Sequence, residues 1–254
     1  MKHAMMLELT DGKLFFALIG DYPQKVIDLA TGTGIWAIDY TSRAPSCRLV
    51  LGVDFTPIQP DWVPPNLKFI VDDVEDEWLN GSNYDFVHMR QVTLLLKQPE
   101  KVLLSHSFRH MKPGAWIEFG GMTYCDDSST PHDYKVQGML DASAEAFKKF
   151  GNDFRIANDL EPRLAAAGFT KISVKKLKVP IGTWPKDKKL RLIGLYFISI
   201  LEALFRAIGG RPLIAAGMDP VEIEVFLAGV RKDLKNTNYH SYMEYIFWTA
   251  QKPK

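Results

Sequence analysis

Cysteine is scarce in this chain: 254 residues hold two, Cys47 and Cys125. Two cysteines cannot build a disulfide framework, and these two lack a metal-ligand spacing. The expected setting is therefore a reducing cytoplasm, or the nucleus if the role is regulatory. Neither sign of charge is in excess, with 31 Lys and Arg against 30 Asp and Glu. A nucleic-acid binder would carry a basic face or stripe, so no nucleic-acid partner is expected. Long apolar runs are missing as well. The longest, Leu192–Leu201, is about half of what a membrane span needs, and the N-terminus has no apolar stretch of signal-peptide length. The chain has no internal repeat, low-complexity tract or flexible linker. It also offers no metal-ligand cluster, Ser-His-Asp set or redox cysteine pair, so no metal is expected. What remains is an ordinary soluble composition, 46% hydrophobic and 24% charged, long enough for one domain with a large core.

The richest segment is Val26-Ile27-Asp28-Leu29-Ala30-Thr31-Gly32-Thr33-Gly34-Ile35-Trp36-Ala37-Ile38. It reads as a short buried strand, a glycine turn and the start of a helix. Gly32 and Gly34 let the backbone approach a ligand with no Cβ in the way. The helix behind them aims its unpaired N–H groups and positive end at the same place. Gly32-x-Gly34-x-x-Ala37 formally fits the dinucleotide fingerprint, in which a pyrophosphate sits on the helix. Asp28, four residues before Gly32, would repel that pyrophosphate. An acid there suits a ligand end carrying an ammonium and a carboxylate together, as S-adenosylmethionine (SAM) does.

The following strands repeat the pattern. Arg48–Asp54 is an apolar run ending in an acid that can accept from both ribose hydroxyls. Leu67–Val74 is a third strand with Asp72 and Asp73 at its end, and Tyr84–Arg90 is a fourth. Met111-Lys112-Pro113-Gly114 reads as a helix stop and turn, and Ala115–Phe119 as a fifth strand. With helical stretches at 34–44 and 98–111, this spacing predicts an α/β fold with a doubly wound parallel sheet. Ligands of such sheets lie outside the carboxyl ends of the strands, where Asp28, Asp54, Asp73 and Arg90 fall.

D-L-A-T-G-T-G (28–34) resembles motif I of class I SAM-dependent methyltransferases. With G-V-D-F-T-P-I-Q-P-D-W-V-P-P-N (52–66), D-D-V-E-D-E-W (72–78), Y-D-F-V-H-M-R (84–90) and M-K-P-G-A-W-I-E (111–118), the chain resembles the fungal LaeA-like, or TAM-domain, methyltransferases. A-A-G-F (166–169) and V-P-I-G-T-W-P-K-D-K-K-L (179–190) extend the likeness over nearly the whole chain. The resemblance implies a Rossmann-like sheet of seven strands with the last antiparallel. It implies that Asp28, Gly32 and Gly34, with Ala30 and Thr31 in the same loop, hold the methionyl end of SAM. Asp54, followed by Phe55, would take the ribose; Asp73 and Val74 would flank the adenine; Met89 and Arg90 would lie beside the sulfonium. In three places the chain departs from the family pattern. Ala30 stands where Gly is usual, a small change that should still fit. Gly120-Gly121 follow Glu118 where relatives often carry an acid or amide. The N-terminus starts close to the first strand, so the helical lid of relatives is expected to be short or absent.

The C-terminal third is expected to set specificity. Thr170–Val179 alternates polar and apolar residues, the mark of a strand with one wet face, and His240–Thr249 is a final strand rich in β-formers. The expectation is a single domain with a core at 24–122, 151–180 and 239–252. Cap inserts at 123–150, with a helix from about 133, and at 181–238, with helices at 186–209 and 219–235, would overhang the acceptor. Leu195, Tyr196, Phe197, Leu201 and Phe205 form an apolar stripe at helical spacing, of which one or two aromatics would line a partly apolar acceptor pocket. Asp126-Asp127 reads as a helix start or turn. Methyl transfer needs alignment first, and a general base only as the acceptor's pKa demands. The candidates are His88, which is otherwise a hydrogen-bonded core residue; Arg90, which otherwise pairs with Asp85 or Glu118; and Glu118, which otherwise satisfies backbone donors. His132 reads as a loop residue. The expected function is methyl transfer from SAM to O or N of a small molecule in fungal secondary metabolism. The alternative is a protein of this fold that no longer methylates, either a LaeA-like regulator or a cyclase or pericyclase reusing the cavity.

Overall fold

The apolar runs around the glycine turn become the middle of a sheet in the computed structural model, which describes residues 1–92, 96–125, 129–152 and 160–254. Asp126 and Asp127 lie outside the described residues. The strands are β1 (Lys25–Leu29), β2 (Leu49–Asp54), β3 (Leu67–Val71), β4 (Tyr84–Arg90), β5 (Met111–Cys125), β6 (Thr170–Pro180) and β7 (Tyr242–Gln251). They form one seven-stranded sheet in the order β3-β2-β1-β4-β5-β7-β6. β1 pairs in parallel with β2 and β4, β2 with β3, and β4 with β5. β7 runs the other way: Ile181 N–H bonds the Ser241 carbonyl just past one end of β6, and Thr170 Oγ1 bonds the Gln251 carbonyl at the other. This is the doubly wound sheet that the strand spacing predicts, with the antiparallel last strand that the family resemblance implies. β1, β2 and β4 are buried on both faces, which is why their sequences read as nearly unbroken apolar runs.

The described residues divide into two compact units. One comprises Lys13–Gly121, Arg155–Lys176 and Ile246–Lys254. Here α2 (Ile35–Arg43) buries Trp36 and Tyr40 and α5 (Leu160–Ala166) buries Leu160 and Leu164, while Ile27, Leu29, Val53, Val87, Met89 and Phe119 meet in the main apolar cluster. The predicted helix at 98–111 is wound as a π-helix over Lys101–His106 before it becomes α3 (Ser107–His110). Met111–Gly114, read as a turn, is already strand. Pro113 has no N–H and Gly114 sits at φ +80°, so the segment forms an irregularity in which the register jumps between Tyr84–Met111 and Phe86–Trp116. β5 then runs on through Gly120 and Gly121 to Cys125.

The other unit comprises Met1–Gly12, Met122–Phe154 and Leu177–Tyr245. Its helices are α1 (Lys2–Leu9), α4 (Lys135–Lys149), α6 (Lys188–Gly209), α7 (Arg211–Ala215) and α8 (Pro220–Leu234). α1 and α7 pack on α6, and α4 and α8 pack on one another. Asp187 caps α6 by accepting from Leu190 N–H, and Asp219 caps α8 by accepting from Val221 and Glu222 N–H. The buried stripe of α6 is Ile193, Phe197, Leu201 and Phe205, spaced by four. Leu195, predicted to share it, is half a turn away and about half exposed. The segment Lys188–Ala215 is long and apolar enough to cross a membrane by length and composition, with 39% of its most apolar window buried within the protein. The contiguous run hides this because Glu202 and Arg206 interrupt it.

Candidate active site

The backbone leaves β1 through Ala30 at φ 51°, Gly32 at φ +60° and Gly34 at φ +76°. A left-handed conformation costs an L-residue roughly 1–2 kcal/mol, so Ala30 fits the place of the usual glycine at the expense of strain. Gly34 cannot be replaced so easily. A Cβ on it would lie 2.2 Å from the Phe69 ring, which fills the space beneath the helix entrance. The first intrahelical bond of α2 runs from Ile38 N–H to the Gly34 carbonyl. The amides ahead of Ile38 therefore point past the helix end with the positive end of its dipole.

The acids read from the sequence gather around this turn. Asp28 is buried, accepting from Thr31 Oγ1 at 2.5 Å and facing His88 Nδ1 at 2.6 Å. Asp54, at the end of β2, accepts from Gly32 N–H at 2.8 Å and Thr56 N–H at 2.9 Å. Gln59, whose role the sequence did not reveal, braces the loop by donating to the Gly32 carbonyl at 2.6 Å and the Thr56 carbonyl at 2.9 Å. Asp73 is exposed after β3 and accepts from Glu75 N–H. It shares a narrow cleft with Leu29, Val53, Ile70 and Val74. Phe55, next to Asp54, is 75% exposed.

The strand-four residues face different ways. Met89 is fully buried in the apolar cluster, with its side chain away from the acids. His88 lies on the opposite face, stacked flat on Trp36 with ring centroids 3.6 Å apart. Arg90 is half-buried and makes no ion pair among the described residues, while Asp85 pairs with Lys112.

Glu118 is 1% exposed, and its Oε2 accepts from Phe16 N–H at 2.6 Å and Ala17 N–H at 2.8 Å. It holds down an N-terminal strap, residues 14–17, that no sequence motif marks. Leu14 accepts from Trp36 Nε1 in the same strap, Phe15 packs on Phe86 and Phe16 on Phe247. Burial pushes the Glu118 carboxyl up to about 7, against the opposing pull of the strap N–H groups and Arg90. The native state therefore binds a proton that the unfolded chain has lost by pH 5, and stability falls as pH rises through 7. Between pH 5 and pH 7 the Glu118 contribution shrinks by about 2 kcal/mol. Glu118→Gln, which keeps an acceptor for the strap, is expected to flatten that slope in urea unfolding followed across pH. An unchanged slope would assign the dependence to another group.

A family model described as "Methyltransferase domain" matches residues 1–174. The chain belongs to the methyltransferase-domain family. It is 32% identical over 260 residues to methyltransferase pytC of Aspergillus terreus, covering all of this chain and 79% of that protein. It is likewise 32% identical over 243 residues to the secondary metabolism regulator LAE1 of Cochliobolus heterostrophus, covering 91% of this chain and 77% of that one. The fold is shared with Haemonchus contortus phosphoethanolamine N-methyltransferase 2 in complex with SAM, at TM-score 0.56 and 16% identity, over 99% of this chain and 52% of that enzyme. The methyltransferase is SAM-dependent. Its donor set fits that cofactor: a helix end and glycine turn for the carboxylate, a buried acid for the ammonium and a second acid one strand over. No group of side chains suited to hold a metal occurs among the described residues.

Proposed function

We propose that this methyltransferase transfers the methyl of SAM to oxygen or nitrogen of a small-molecule acceptor in fungal secondary metabolism. The observation that carries the reading is the pair Asp28 and Asp54 flanking the Gly32–Gly34 turn, each buried and each hydrogen-bonded to the loop. Bound SAM supplies a methyl group on a sulfonium, with a good leaving group already attached. The amides at the α2 end would hold its carboxylate, Asp28 the ammonium and Asp54 the ribose, with Phe55 closing over the sugar. Asp73 and Val74 would flank the adenine. Alignment of this kind is worth up to roughly 7–11 kcal/mol.

Within the reading, His88 Nδ1 is taken by Asp28 and Glu118 Oε2 by the strap, which leaves Glu118 Oε1 without a hydrogen-bond partner among the described residues. Arg90 remains, and its charge suits an acceptor with an acidic oxygen, which needs no strong base. The relative named as a secondary metabolism regulator supports the metabolic setting, and the one named as a methyltransferase supports the chemistry. Titration calorimetry is the direct test. SAM and S-adenosylhomocysteine should both bind, and NAD(H) should give no protection against thermal unfolding. Absence of heat with both adenosyl ligands would overturn the reading.

A further inference from the structure

Three buried polar side chains stand in one row across the sheet. Asp28 of β1, His88 of β4 and Glu118 of β5 are register partners on adjacent strands, and each is 3% exposed or less. Glu118 serves the strap. His88 serves neither strap nor solvent: its Nδ1 lies 2.6 Å from Asp28 Oδ1, and Trp36 covers its face at an interplanar angle of 4°. A carboxylate accepts hydrogen bonds and cannot donate them, so the Nδ1 atom carries the proton and donates. Burial and the nearby Arg90 charge hold the imidazole neutral, against the pull of Asp28.

The two oxygens of Asp28 are thereby fixed from different directions. Thr31 of the loop donates to Oδ2 and His88 to Oδ1. Each carboxylate oxygen has about two lone-pair sites, so each keeps one for a ligand. Buried polar pairs are weak contributors to stability compared with an apolar pair of the same volume, which leaves orientation as the return on burying this one. We propose that His88 is a positioning residue: it fixes the Asp28 carboxylate in the orientation that receives the ammonium end of SAM. The inference rests on the reading of Asp28 given above. The Nδ1 side of the ring is thereby taken by Asp28, with Trp36 stacked on the ring face.

The test compares two ligands that share the adenosine but differ at the other end. S-adenosylhomocysteine carries the ammonium and carboxylate, and 5′-methylthioadenosine carries neither. Wild type should prefer S-adenosylhomocysteine by calorimetry. His88→Phe keeps a ring against Trp36 and removes the donor; the preference should fall about tenfold, with 5′-methylthioadenosine binding unchanged. His88→Asn, which returns an N–H near the Nδ1 position, should restore most of it. A His88→Phe protein with the full preference, or one that loses both ligands equally, would overturn the proposal. A wild type with no preference would instead sink the reading of Asp28 and the glycine turn. If His88→Phe does not fold, wild type still decides. The downfield Nδ1–H proton of His88, assigned by its absence from His88→Asn, should move on adding S-adenosylhomocysteine and stay in place with 5′-methylthioadenosine. A resonance that ignores both ligands, or follows both alike, would count against the proposal.

Discussion

Asp54→Ala should weaken S-adenosylhomocysteine binding by at least about 100-fold, taking it below detection in a routine calorimetric titration. The carboxylate accepts from Gly32 N–H at 2.8 Å and from Thr56 N–H at 2.9 Å, and in the proposed complex it also accepts from the ribose. Each hydrogen bond to a charged group is worth about 1.5–3 kcal/mol, so losing the ribose contacts and the loop anchor together exceeds two powers of ten. Asp54→Asn keeps one acceptor oxygen and should fall between the two. Glu100→Ala is the control: Glu100 is exposed and pairs only with Arg163 among the described residues, and its loss should change affinity less than about threefold. Binding by Asp54→Ala within threefold of wild type would mean that the ribose lies elsewhere.

Gly194→Ala should lower stability by about 3 kcal/mol, against the rule for its position. In the interior of an exposed helix, alanine is better than glycine by about 1 kcal/mol. Gly194 sits in α6 where a Cβ would stand 1.9 Å from the Gly182 carbonyl oxygen and 3.0 Å from its carbon. That neighbour is backbone, which cannot swing aside, so α6 or the 180–182 turn must move. Overpacking of this kind costs typically 1–3 kcal/mol and occasionally more. Thermal unfolding should show a midpoint lower by about 10 °C. Ala203→Gly, on the exposed side of the same helix, should cost only about 1 kcal/mol. A Gly194→Ala protein as stable as wild type would show that α6 does not approach the Gly182 carbonyl so closely.

The contrast between those residues bears on what could be read without coordinates. The central strands were legible because a parallel sheet buries both faces, so that β1, β2 and β4 announce themselves as apolar runs. The turn was legible because Gly32 and Gly34 are adjacent in sequence to the helix they start. Contacts across the chain were not. Nothing in the sequence near Glu118 signals that its partners are Phe16 and Ala17, and His88 meets Asp28 from 60 residues away. Each of these side chains had a correct list of chemical options, among which only distance in space could choose. The start of β5 differs from the expected turn for a local reason: Pro113 and Gly114 are turn formers that a sheet can absorb as an irregularity. Gln59 lay inside a quoted family segment, but its bonds run to backbone carbonyls, which leave no trace in side-chain chemistry.

The strap that Glu118 holds has a consequence for synthesis. Phe16 and its carboxylate acceptor are 102 residues apart. At roughly 5–20 residues per second on the ribosome, Phe16 waits about 5–20 seconds for Glu118 to be made. Phe15 meets its partners Tyr40 and Phe86 early in the chain, whereas Phe16 waits outside the exit tunnel for Glu118 and for Phe247 of β7. A nascent protein in this state presents a short apolar segment to chaperones, and it can retract that segment only once its last strand has emerged.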